Sequence, residues 1–172
     1  MNLNLNKKLY ELLKRVEKPA RYIGSETNII KKNIDEVDCR FAFAFPDMYE
    51  IGMSYLGLQI LYSVLNKIEN IYCERVFAPA VDMEKLMRDE NVPLFTLETK
   101  TPVKEMDFLG FTLQYEMSYT TILNMLNLSG IPIRKEDRTD DDPIIIAGGP
   151  CAFNPEPLAD FIDIFIIGDG EV

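Results

Sequence analysis

The sequence predicts an α/β domain built on a doubly wound parallel sheet of about five strands, with helices on both faces and an additional helix at the N-terminus. Three observations predict it. Apolar runs of strand length, such as "CRFAFAF" and "PIIIAGG", are continuous rather than alternating, as in strands buried on both faces. Segments with helical spacing of their apolar residues lie between these runs. Gly and Pro punctuate the boundaries.

Residues 1–17 carry Leu5, Leu9, Leu12, Leu13 and Val16 on one helical face, with lysines, Glu11 and Arg15 between them. "KPARYIGSETN" then reads as a polar connector. Two units follow from this: residues 1–37 as helix and linker, and residues 38–172 as the α/β domain. Cys39 to Phe45 reads as the first strand. Residues 52–68 read as one mostly buried helix bearing Leu56, Ile60, Leu61, Val64, Leu65 and Ile68. A short strand near Glu74 to Ala78 comes next, then a helix N-capped by Asp82 and an edge strand "PLFTLE", within a stretch, 91–106, that resembles an insertion. "MDFLGFTLQ" is a strand, followed by a helix from about Ser118 to Leu128 that stops at Gly130. "PIIIAGG" and "FIDIFIIGDG" are the last two strands, with a short helix from Glu156 to Phe161 between them. This alternation gives a flavodoxin-like (Rossmann-like) arrangement.

Composition narrows the chemistry. A 172-residue chain with 47% apolar residues can bury a core, and its formal charge of −10 argues against sequence-independent nucleic-acid binding, which depends on Lys and Arg. The chain has no histidine, which removes Ser-His and Cys-His nucleophiles and imidazole ligands. Cys39, Cys73 and Cys151 are too scattered for a disulfide framework or a zinc site and read as reduced, mostly buried residues. No apolar run approaches the ~18 residues of a membrane span, and no signal-peptide core is present, so the expected location is cytoplasmic.

In open parallel sheets ligands gather at the carboxyl ends of the strands, near the point where strand order reverses. Four turns of this sequence fall there: "PDMYEIGMS", "TLQYEMS", "GGPCAFNPE" and "GDGE". The first offers Asp47, Tyr49, Gly52 and Ser54, with Ser54 placed to cap the following helix. Gly148 and Gly149 allow close backbone approach to a ligand, or form a tight turn. Glu116 and Glu171 are candidate hydrogen-bond acceptors or plain surface carboxylates.

These turns carry a resemblance. Cobalamin-binding domains have D-x-H-x-x-G after the first strand, a Ser-x-Leu type turn after the third and a Gly-Gly turn after the fourth. The chain reads D-M-Y-E-I-G from Asp47 to Gly52, "GFTLQ" around Thr112 and "AGGP" at Gly148 and Gly149. Its closing "GGP…NPEPLADFIDIFIIGDGE" is similar to the end of the cobalamin-binding-like domain that precedes the barrel of radical SAM enzymes. With "PARYIGSE", "ERVFAP" and "GFTLQYEMSYTTILNMLNLSGIP", the chain resembles the N-terminal part of cobalamin-binding-type radical SAM proteins.

The resemblance implies cobalamin as a ligand held by Asp47, Tyr49, Gly52, Ser54, Thr112, Gly148 and Gly149. Tyr49 stands where the family's cobalt-coordinating histidine belongs, so either cobalamin binds without a protein axial ligand or the fold is kept and the ligand lost. It also implies a downstream radical SAM domain, after Val172, that carries a [4Fe–4S] cluster and S-adenosylmethionine. The C-x-x-x-C-x-x-C motif for that cluster is not among residues 1–172, so no catalytic residue is expected in this chain. Its expected role is to hold a corrinoid or cover the catalytic barrel, or else to act as a ligand-free module positioning substrate or partner. A stand-alone flavin or receiver domain fits less well, since a receiver needs a lysine late in the sheet.

Overall fold

The computed structural model describes residues 3–168, with side chains from residue 7 onward. The chain runs α1 (Leu3–Leu13), β1 (Cys39–Phe45), α2 (Tyr49–Ser54), α3 (Leu56–Lys67), β2 (Ile71–Phe77), α4 (Val81–Asp89), β3 (Phe108–Thr112), α5 (Tyr119–Ser129), β4 (Ile144–Gly148) and β5 (Ile164–Ile166), with short 3₁₀ turns between. The five strands form one parallel sheet in the order β2-β1-β3-β4-β5. This is the flavodoxin-like order, with strand direction of travel reversing between β1 and β3.

The two faces are filled differently. Register pairs Phe43 with Gly110 and Gly110 with Ile146, so one face carries Phe41, Phe43, Phe45, Phe108, Gly110, Thr112, Ile144, Ile146, Gly148, Ile164 and Ile166. The opposite face carries Ala42, Ala44, Leu109, Phe111, Ile145 and Ala147, all buried, under α1, α4 and α5. Small Ala42 and Ala44 leave room there for Met83, Met87, Ile122 and Met125. α1 joins this core through Leu9, Leu12 and Val16; the side chain of Leu5 lies outside the described residues. On the phenylalanine face, α3 lays Leu58 and Tyr62 over Phe43, Phe45 and Cys73.

α3 covers β1 and β2, Gly110 and Thr112 of β3 are buried, and on β4 and β5 that face is open among the described residues. Ile144 is 43% exposed, Ile164 46% and Ile166 48%, while Ile145, one position along on the other face, is fully buried. Parallel sheets ordinarily bury both faces.

Several elements differ from the sequence expectation. The helix of residues 52–68 is two helices, because Tyr55 is extended (φ −83°, ψ 111°). Ser54 donates its hydroxyl to the Ile51 carbonyl instead of capping α3. Leu58 and Tyr62 form the buried stripe, leaving Leu56 and Ile68 exposed. "PLFTLE" is no strand: beyond a bridge between Phe95 and Pro102 it crosses the outer edge of β2 as a loop. Its apolar residues mimic a strand because Leu94, Phe95, Thr96 and Leu97 are all buried there. Two 3₁₀ turns, Pro150–Phe153 and Glu156–Leu158, replace the helix expected before β5; Pro155 and Pro157 withhold the amides a longer helix needs. Asp82 sits inside α4, where its carboxylate accepts the Glu17 amide at 2.7 Å and ties the end of the N-terminal segment to α4. Cys73 is buried, and Cys39 and Cys151 are half-buried. No helix among the described residues is long and apolar enough to cross a membrane.

Candidate functional site: a groove and rim at the carboxyl ends of the strands

The crossover at β1 and β3 leaves a groove on the phenylalanine face. Its volume is about 340 Å³, within the range of small-molecule sites. Phe41, Phe43, Gly110 and Ile146 form its floor, α3 supplies one wall through Gly57, Leu61 and Leu65, and Thr112, Gln114, Gly148 and Gly149 close its upper end.

The glycines have separate causes. A Cβ on Gly52 would lie 2.3 Å from the Phe77 ring and 3.1 Å from the Phe45 Cβ, so close packing of α2 on β1 and β2 requires that glycine. A Cβ on Gly148 meets its first neighbour, the Ile166 carbonyl, only at 3.5 Å, so packing alone does not demand it and its smallness opens the groove. Gly149 has φ +111° and would bring a Cβ within 2.9 Å of the Leu113 carbonyl. Its turn is fastened by Leu113 N–H to Gly148 O at 2.6 Å and Cys151 N–H to Leu113 O at 3.1 Å.

Of the residues singled out from sequence, Thr112, Gly148 and Gly149 meet in the groove, with the Gln114 amide donating to the Thr112 hydroxyl. Asp47 stands on the same rim. One carboxylate oxygen accepts the Met48 amide at 2.7 Å and the other the Tyr115 hydroxyl at 2.6 Å. That hydrogen bond, with burial and the nearby negative charge, raises the Tyr115 phenol above its ordinary range. Tyr49, Gly52 and Ser54 do not line the groove. The Tyr49 hydroxyl donates to Glu26 at 2.7 Å and its ring sits edge-on to Phe77. Burial, with Glu26 second, pushes its phenol up to about 12. Glu116 opens a 3₁₀ turn on the rim, and Glu171 lies outside the described residues.

Sequence reasoning missed Gly110, Phe41 and Phe43. Strand parity was the available signal: once Thr112 and Gly148 are placed on one face, Gly110 and Ile146 follow two residues earlier.

Between its polar groups the rim carries exposed apolar side chains. Met48, Val81, Tyr115, Met117 and Phe153 come from the loops after β1, β2, β3 and β4, and all are exposed, Met117 to 86% and Phe153 to 72%. Below it, beside β2, lies a buried charge cluster. Arg75 is fully buried and donates from Nε to Glu98 at 2.7 Å, faces Glu26 at 3.5 Å and lies 4.5 Å from the Tyr62 ring centroid. Burial pushes the Glu98 carboxyl up to about 6 against the pull of Arg75. Glu74 accepts from Arg40, Thr96 and Thr99. Among the described residues no group of three His, Cys, Asp or Glu side chains is placed to hold a metal ion.

Residues 57–172 match the family described as "Radical SAM proteins, N-terminal". The chain belongs to that family. An uncharacterized protein of Methanocaldococcus jannaschii is 30% identical over 131 residues, which are 76% of this chain and 24% of that protein. The chain thus spans about a quarter of the length of that curated relative. No solved structure matches it. As a radical SAM N-terminal region, the chain combines a parallel sheet, an open groove and a rim of exposed apolar side chains.

Proposed function

We propose that this region is an accessory domain of a radical SAM protein and that its carboxyl rim covers the catalytic barrel downstream in the same polypeptide. One observation carries this reading. Each of four neighbouring connections presents an exposed apolar side chain on the same edge of the sheet, and exposed apolar side chains gathered among polar ones mark an interaction surface. The [4Fe–4S] cluster and S-adenosylmethionine would be held by the barrel downstream, not by residues of this region, and would supply radical chemistry there. The rim's contribution is to exclude water from the mouth it covers. Hydroxyl-radical footprinting of the full-length protein tests this. Met117 and Phe153 should be protected relative to exposed Tyr10, and labelling at the Tyr10 level would overturn it.

A second reading, that a corrinoid is held here, is favoured by the groove that unites Thr112, Gly148 and Gly149. The groove fits the nucleotide tail of such a ligand, with Gly148 giving backbone access. The cobalt end fits less well, because Tyr49, in the histidine's place, is engaged by Glu26 and is a poor neutral ligand. The ligand-free module is the form the first reading takes if no corrinoid binds. Titration with hydroxocobalamin followed by gel filtration decides between them, since a corrinoid band that does not travel with the protein ends the second reading. If a band is retained, Tyr49→His should shift its spectrum toward a histidine-ligated form.

A further inference from the structure

We infer that the phenylalanine face beyond α3, exposed on β4 and β5, seats an amphipathic helix of about three turns formed by residues that follow Val172 in the same polypeptide. This rests on the family membership and on the reading that a longer chain follows, and is independent of what the rim covers.

The surface asks for a cover. Ile144 of β4 and Ile164 and Ile166 of β5 are close to half exposed, whereas on the other side of the sheet Ile145 and Ala147 of β4 are fully buried and Phe165 of β5 is half-buried. The difference within single strands shows that the sheet is built for two covered faces and has one of them half open. The flanking helix repeats the signal. Leu61 and Leu65 of α3 are only partly buried against the Phe43 and Phe45 cluster and also line the groove, so α3 presents an apolar flank to a neighbour.

The dimensions select a single helix. Helices pack with axes about 8–10 Å apart, which is two strand spacings of about 4.8 Å. With α3 above β1 and β2, the next position falls above β3 and β4. These strands have five residues each, roughly 16 Å long at about 3.3 Å per residue, and a helix of about 11 residues matches that length at about 1.5 Å per residue.

Connectivity selects the occupant. Ile166 and Gly168 line the groove, so the polypeptide leaves β5 at its upper end. Even fully extended, the residues from Gly168 to Val172 reach no further than about 14 Å. A segment tethered there competes at an effective concentration of order millimolar, far above that of a second copy or a free partner. The family is an N-terminal one, and in the archaeal relative the matched residues are 24% of the length.

The experiment uses the full-length protein carrying Ile166→Cys, or in parallel Asp140→Cys as an exposed control, with maleimide labelling read peptide by peptide so that Cys39, Cys73 and Cys151 do not interfere. Labelling at position 166 should be at least tenfold slower than at position 140, at every protein concentration and without added corrinoid. A photo-crosslinking residue in place of Ile166 should join, within one molecule, a peptide starting soon after Val172. Equal labelling rates, protection lost on dilution, protection only with hydroxocobalamin, or crosslinks only between molecules or to remote peptides would each overturn the inference. The Met117 and Phe153 footprint in the same protein separates the two proposals: a protected rim with a freely labelled position 166 removes the helix alone, and the reverse removes the rim contact alone.

Discussion

The two halves of the phenylalanine face stand in contrast. Over β2 the chain spends heavily on closure: α3 covers the face, and the loop of residues 93–102 wraps the outer edge. Leu97 N–H donates to Arg75 O at 2.8 Å, and the Arg75 amide donates to Glu98 at 2.7 Å, so backbone groups that an edge strand would offer to a stranger are occupied. Over β3, β4 and β5 the same face is Phe108, Gly110 and Thr112 followed by isoleucines and Gly148, with no described element above it. A buried charge cluster together with the buried Leu94, Phe95 and Leu97 closes the first region, and exposed apolar area marks the second. Sealing an edge from within takes a specific buried network, here one that still leaves Arg75 Nη2, Glu26 Oε2 and Arg40 Nε without hydrogen-bond partners, whereas a surface kept for another segment needs only shape and hydrophobicity.

The largest expected effect breaks the sealed side. Arg75→Met leaves Glu98 buried without its partner and should cost about 3–5 kcal/mol, read as a fall in the urea midpoint. A loss below about 1 kcal/mol would mean that the cluster is not what holds the 93–102 loop. The next pair sharpens the contrast between faces. Ile145→Ala, in the covered core, should cost about 2–5 kcal/mol. In a chain of residues 1–172, Ile144→Ala next to it should cost about 0.5 kcal/mol, as for a surface position. Equal costs would show that the open face is already covered without any further segment.

Much of the fold was legible in the sequence, but unevenly. β1 runs Cys39–Phe45 as the continuous apolar run indicates, and α5 ends at Gly130, which adopts φ +69°. The rim location of Asp47, Thr112 and Gly148 follows from strand direction alone. The sealed edge was not legible, because burial of Leu94, Phe95 and Leu97 in a loop produces the same apolar pattern as a strand. Nor was the break at Tyr55, since a helix that stops and restarts keeps its apolar content while its phase changes. The orientation of Tyr49 depended on Glu26, 23 residues earlier in a segment that reads as a linker, and such a long-range hydrogen bond leaves no periodic trace.

A pH measurement tests the sealed side more finely. Glu98 binds its proton more tightly folded, at about 6, than the ordinary carboxyl value of 4.5. Its contribution to stability is therefore fully present below pH 4.5 and is lost as pH rises through 6, amounting to about 2 kcal/mol across that window. Glu98→Gln should remove this slope from the denaturation profile between pH 4.5 and 6, and an unchanged slope would assign it to other groups.

The smallest effect belongs to the rim, where Tyr115 and Asp47 meet at an exposed position. The phenol's pKa is raised first by its hydrogen bond to the Asp47 carboxylate and then by burial and by that carboxylate's charge. The protonated hydroxyl is thus favoured in the folded chain, and its contribution fades as pH rises through the raised value. Asp47→Asn should bring the Tyr115 titration, followed by its 13Cζ shift, back toward 10, while overall stability changes by no more than about 0.5 kcal/mol. Such a small cost is what a surface kept for a partner predicts. A large loss of stability would instead make the Asp47–Tyr115 contact part of the sealed architecture, and the two regions would then differ less than their exposure indicates.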